Sequence, residues 1–130
     1  MSTLLAEARA LFPTLKALKD DLHRHPELSF AETRTTALLK ERLLALGLEL
    51  VDLGMETGAV AVLRGGKPGR CVALRADLDA IAQQEPADNG VVSETPGVMH
   101  ACGHDFHTAC LLGAAQLLAG RQAGLTRSAV

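Results

Sequence analysis

Nine consecutive residues, Met99-His100-Ala101-Cys102-Gly103-His104-Asp105-Phe106-His107, hold one thiol, three imidazoles and one carboxylate. Imidazoles and carboxylates are costly to bury without partners, so the chain has to fold in a way that satisfies this stretch. Cys, His and Asp are also the side chains that bind transition metals. Gly103 lets the backbone turn tightly between Cys102 and His104. Residues 108–118 follow at once as an apolar, helix-like run. The reading is a loop that presents donors at a helix N-terminus, a place that also favours a thiolate. The plain alternatives are a Cys buried as a small hydrophobe, and His100 and His107 as solvated or hydrogen-bonded structural residues.

The rest of the chain must build a scaffold for that loop. Leu4, Ala8, Leu11, Leu15, Leu18 and Leu22 recur three or four residues apart, one face of an amphipathic helix. Pro13 lies inside the pattern, so the helix starts or kinks there. His23-Arg24-His25 closes it near its C-terminal carbonyls, and Pro26 stops it. Ser29-Phe30-Ala31-Glu32 has the spacing of a capping box and predicts a second helix ending at Gly47. The expected helices span residues 3–24, 29–46 and 105–119, and the expected strands 48–53, 59–64 and 70–76. The runs 59–63 and 71–74 are continuous and apolar, as in strands buried on both faces. The turn cluster Gly65-Gly66-Lys67-Pro68-Gly69 predicts that these two pair as an antiparallel hairpin. Helices must cover such a sheet, which gives a layered α/β sandwich.

Asp77 and Asp79 leave the end of the 70–76 strand, where sites of α/β sheets often lie; the alternative is that both only solvate a strand end. Residues 81–98 show no periodicity. A loop of that length serves a site or is disordered, and this one leads into the Cys102 cluster. Residues 120–130 also lack periodicity and are expected to fray.

At 130 residues, 48% of them hydrophobic and 22% charged, the chain is long enough for one folded domain. It has no Trp or Tyr and a net charge of -2, which argues against stacking on bases and against nucleic-acid or anionic-membrane partners. Its three cysteines, an odd number without a secretory signal, fit a reducing compartment. No stretch approaches transmembrane length, so a soluble cytoplasmic protein is expected.

Three segments together carry a resemblance: His23-Arg24-His25-Pro26-Glu27-Leu28-Ser29, Leu74-Arg75-Ala76-Asp77-Leu78-Asp79-Ala80, and Pro96-Gly97-Val98-Met99-His100-Ala101-Cys102-Gly103-His104-Asp105. In order and spacing they resemble the amidohydrolase branch of the aminoacylase and carboxypeptidase-type metallopeptidases, a family that includes hippurate hydrolases. The resemblance covers roughly residues 11–119. It implies a mixed-sheet catalytic domain built around two divalent metal ions, zinc or manganese. Cys102 and His104 match two of the metal ligands. Asp77 matches a carboxylate behind the metals that orients an imidazole ligand. Asp105 matches a residue that shapes the loop, and the His23–Glu27 signature carries no catalytic role, only helix termination and packing. The implied reaction is hydrolysis of the amide of an N-acyl amino acid, with water activated at the metals and a Glu as general base.

The resemblance also places that Glu, one of a pair, beyond residue 118, and the lid domain later still. No Glu-Glu pair occurs in these 130 residues, and Ala82 stands where a Pro is usual. The expectation is therefore an N-terminal part of such a catalytic domain over residues 1–119, without its lid, followed by a frayed 120–130 tail. The alternative expectation is an inactive fragment or a module that forms homo-oligomers through exposed sheet edges, with at most weak metal binding.

Overall fold

The Thr3 hydroxyl accepts the Ala6 amide at 3.2 Å and so satisfies one of the donors that a helix start leaves bare. From there α1 (Leu4–Arg24) runs without interruption through Pro13. The computed structural model describes residues 3–125. After α1 come α2 (Thr33–Ala45), β1 (Glu49–Val51), β2 (Val60–Val62), α3 (His104–Ala119) and a 3-10 turn at Gln122–Gly124. The leucine stripe of α1 becomes more buried along its length, from exposed Leu4 to fully buried Leu22. At its end His25 Nδ1 donates to the Asp21 carbonyl at 2.8 Å, the C-terminal closure expected of that stretch.

The start of α2 differs from the expected capping box. Ser29 and Phe30 form a turn, Phe30 at φ +63°, and the N-cap is Glu32, whose side chain makes no cap bond. Glu27 takes the role from a distance. Its carboxylate accepts the Arg34 amide at 2.9 Å, the Thr35 amide at 2.7 Å and the Thr33 hydroxyl at 3.2 Å. A carboxylate across the first turn also meets the positive end of the helix dipole. At the other end Gly47, at φ +81°, terminates α2 as expected, with its amide bonded to Leu44 O and that of Leu48 to Leu43 O.

The sheet is an antiparallel pair, β1 on β2, with Glu49 opposite Val62 and Val51 opposite Val60. The expected hairpin between 59–63 and 71–74 does not form. Residues 71–74 have no ladder partner among the described residues, and Val72 is 59% exposed. The turn cluster is used differently: the Gly66 amide bonds Gln122 O and the Lys67 amide bonds Leu125 O. The chain thus leaves β2 toward the C-terminal segment instead of folding back on it. The same contacts hold residues 120–125, which were expected to fray, while 126–130 lie outside the described residues.

The core lies between α2, the hairpin and α3. It consists of Leu39, Leu43, Leu48, Ala61, Leu63, Leu112 and Ala115, so small aliphatic side chains do the work that aromatics often do. The α1 helix packs along α3. Gly113 makes room there, since a Cβ on it would stand 2.6 Å from Leu15 Cδ1. The result is the α/β layering read from the sequence, with helices covering a small sheet.

The cap on α2 is testable. Burial raises the Glu27 pKa, but hydrogen bonds from Thr35, Arg34 and Thr33 outweigh it and leave the group below its ordinary 4.5. Its contribution is present above that value and lost as pH falls through the lower folded pKa. Glu27→Ala is expected to cost about 1 kcal/mol at pH 7, the usual worth of a cap. The difference from the parent should shrink below pH 4.5, as read by urea denaturation at both pH values.

Candidate metal centre

Residues 27–28, 80–81 and 99 bring the three sequence signatures together. Leu28 and Ala80 form a parallel bridge, Ile81 and Met99 an antiparallel one. The Ala80 amide donates to Glu27 O at 2.8 Å, and Ile81 and Met99 exchange two amide bonds. These single bridges put the Asp77–Asp79 segment beside the Cys102 loop.

The loop enters α3 through Gly103, the N-cap residue, at φ +85°. That left-handed conformation is what Gly tolerates and other residues resist. It turns the flanking side chains toward one point, the Asp79 carbonyl oxygen. Cys102 Sγ donates to it at 3.4 Å, and His104 Nδ1 donates to it at 2.9 Å and to Asp79 Oδ1 at 3.0 Å. Both partners of Nδ1 are acceptors, so Nδ1 carries a proton. Nε2 faces Asp77 Oδ2 at 3.9 Å. Cys102 and His104 thus meet at the Asp79 carbonyl, with Asp77 near the other ring nitrogen. The carboxylate that fixes the imidazole through Nδ1, however, is Asp79. Asp77 lies on the other side of the ring, bound by Arg75 at 2.8 Å. That guanidinium holds the Asp77 carboxyl below its ordinary value. A cleft of about 540 Å³ opens beside Asp77 and Asp79, floored by Leu39, Leu43 and Leu112.

Thiolate and imidazole are a donor set suited to a divalent transition metal. Among the described residues, though, no three His, Cys, Asp or Glu side chains are arranged to hold an ion. The pair fits a metal in kind. The two other histidines do not complete it. His107 is exposed, its ring 5.9 Å from that of His104. His100 is 5% exposed, and its Nδ1 has no hydrogen-bond partner. Burial holds its pKa below 6.5 against the opposing field of Asp105.

Sequence reasoning missed two residues behind the loop. The His23 ring lies between two buried carboxylates, with Nδ1 2.7 Å from Asp105 Oδ2 and Nε2 2.8 Å from Glu85 Oε1. Glu85 also accepts from Asn89 Nδ2 at 2.8 Å and from the Ser93 amide at 2.6 Å. It thereby organises the 81–98 loop, which is ordered. Nothing in the sequence distinguished Glu85. His23 stood in a signature that had been assigned only packing.

Residues 73–129 match the family described as Peptidase family M20/M25/M40. N-acetylcysteine deacetylase of Bacillus subtilis is 42% identical over 118 residues, 90% of this chain and 31% of the relative. Thermostable carboxypeptidase 2 of Saccharolobus solfataricus is 48% identical over 102 residues, 78% of this chain and 26% of the relative. A crystal structure from Bacillus subtilis, described as a dinuclear metal binding peptidase from the M20 family, aligns with a TM-score of 0.86 at 41% identity. That alignment covers 93% of this chain and 35% of the other. The chain belongs to the M20 metallopeptidase family and carries part of its catalytic domain. It spans about a third of the length of the relatives it matches. Among the described residues no helix is long and apolar enough to cross a membrane.

Glu85 gives this region a pH signature. Burial raises its pKa, but hydrogen bonds from His23, Asn89 and the Ser93 amide bring it down from 4.5 to about 2. Its stabilising effect is complete above pH 4.5 and is lost as pH falls toward 2. The stability difference between the parent and Glu85→Ala should therefore decline steadily as pH falls from 4.5 toward 2. Chemical denaturation across that range checks this.

Proposed function

We propose that the protein is a metal-dependent amidohydrolase of N-acyl amino acids and that this stretch, within residues 1–119, supplies the metal ligands Cys102 and His104. One observation carries the reading: Asp79 holds the His104 ring through Nδ1, with Nε2 on the side of Asp77 and the loop's thiol on the same carbonyl. A carboxylate or carbonyl behind an imidazole is the usual support of a histidine ligand. The relatives support the substrate class, since they include an N-acetylcysteine deacetylase and an N-acyl-L-amino acid amidohydrolase.

In this reading Cys102 and His104 would help hold divalent ions, zinc or manganese, whose bound form would supply Lewis acidity for the amide carbonyl and for water. The chain's own residues do the positioning. Asp79 orients the His104 ring. Asp77 carries a second carboxylate at the site, restrained by Arg75. The cleft beside them gives a small acylated amino acid an apolar floor and a polar rim. The substrate is a small molecule, with no nucleic acid or membrane involved, and the setting is cytoplasmic.

Taken alone, the 130 residues support a second reading, a module without turnover. Val72, Leu74, Phe30 and Phe106 are all exposed, an apolar surface that favours self-association.

The test is hydrolysis of N-acetyl and N-benzoyl amino acids with and without chelator. Two donors bind metal weakly, and a hydrolytic site needs about three protein ligands and a positioned base. The 130-residue chain should therefore lose added metal on dialysis and show no turnover. In a longer chain carrying the paired glutamate, Cys102→Ala and His104→Ala should each lower chelator-sensitive hydrolysis about a hundredfold or more. Unchanged activity in both variants would overturn the ligand assignment.

A further inference from the structure

We propose that His23 is a positioning residue for the Cys102–His104 donor pair, acting through Asp105 and Glu85. This rests on the reading of those two residues as metal ligands.

The Cys102 loop is held by the Cys102 thiol on Asp79 O, by the Gly103 amide on His100 O and by buried Met99 and His100. Gly103 bends the chain but touches nothing where a Cβ would stand. Ala101 is exposed. Upstream, the chain reaches the loop from the single Ile81–Met99 bridge. Beyond the buried Thr108 hydroxyl on Asp77 O at 3.2 Å, the first turn of α3 is held on two sides. On one side His104 bonds Asp79. On the other, Asp105, the next residue and 2% exposed, bonds His23 on the last turn of α1.

His23 does more than hold Asp105. Its second nitrogen bonds Glu85, which is 4% exposed and gathers Asn89 and Ser93 of the long loop around itself. One imidazole thus ties together the end of α1, the start of α3 and the 81–98 loop. Both ring nitrogens lie within hydrogen-bond distance of carboxylate oxygens. Lys19 Nζ, 3.8 Å from Asp105 Oδ2, places a positive group beside the same carboxylate. Removing the imidazole leaves two buried carboxylates without the hydrogen-bonding ring between them, which is unfavourable. They would separate, and the turn bearing His104 and the adjoining Cys102 would move with Asp105. The histidine of the first signature, set aside for packing, therefore acts on the metal-binding signature about eighty residues later, through direct contacts.

The test uses the full 130-residue chain and two readouts. The first is the alkylation rate of Cys102 by iodoacetamide, followed by peptide mass spectrometry. Exposed Cys71 and Cys110 in the same molecule are internal standards. The second is the thiolate-to-cobalt charge-transfer band at saturating cobalt(II). The variant is His23→Gln, and the control is Leu22→Ala, a fully buried neighbour whose truncation destabilises the chain without touching the carboxylates. Losing a charged hydrogen bond should raise the Cys102 rate roughly tenfold relative to Cys110. It should also weaken the cobalt band. The control, compared at denaturant concentrations giving equal global stability, should do neither.

An unchanged Cys102 rate in His23→Gln, or an equal rise in the stability-matched control, would overturn the proposal. If His23→Gln does not fold, Asp105→Asn is read against the same control and decides in the same way. If the parent itself shows no cobalt–thiolate band, the ligand reading fails, while the alkylation comparison still decides whether His23 positions the loop.

Discussion

One imidazole between two buried carboxylates holds this site together. His23 joins Asp105 and Glu85 across 82 and 62 residues of sequence. The surrounding backbone has little regular hydrogen bonding to substitute for it: among the described residues it pairs there through the isolated bridges Leu28–Ala80 and Ile81–Met99. Where ladders are short, side-chain networks must fix register, and a buried charged network does so because its partners have no acceptable alternative. Asn89 shares Glu85 Oε1 with His23, and the Ser93 amide donates to Oε2. Those bonds let Glu85 stay ionised away from water.

The donor pair is built from a different kind of constraint, backbone geometry. A left-handed Gly103 and one carbonyl, that of Asp79, bring a thiol and an imidazole to the same place. Asp79 acts with both its carbonyl and its carboxylate, so the His104 ring is fixed in orientation. Asp77, two residues earlier, is held apart by Arg75. Two aspartates of one motif thus have separate tasks set by their neighbours.

The helices were legible because their signals are local. The leucine stripe of α1, the glycine after α2 and the apolar run of α3 each specify an element to within a few residues. The turn into α3 at Gly103 was legible for the same reason, whereas the reading of Cys102 and His104 as ligands came from the family resemblance. What failed was non-local. Residues 71–74 look like a buried strand, but an apolar run becomes a strand only where a neighbour supplies a ladder, and none does among the described residues. Ser29 had the spacing of a cap, yet the turn at Phe30 displaced it and Glu27 capped α2 through space. His23 and Glu85 were invisible as a pair because no periodicity links residues 62 apart. Asp79 was noted at a strand end, but its preference over Asp77 for Nδ1 depends on how the 71–79 segment lies against α3.

The central claim is that Cys102 and His104 are the donors this chain offers to a metal. Zinc titration of the isotopically labelled chain, followed by carbon and nitrogen NMR, addresses that claim directly and tolerates weak binding. The account predicts that the Cys102 Cβ and the His104 Nε2 resonances move together with added zinc, while those of Cys71, Cys110 and His25 stay still. Movement centred on Cys110 or His107, with Cys102 and His104 unaffected, would contradict it.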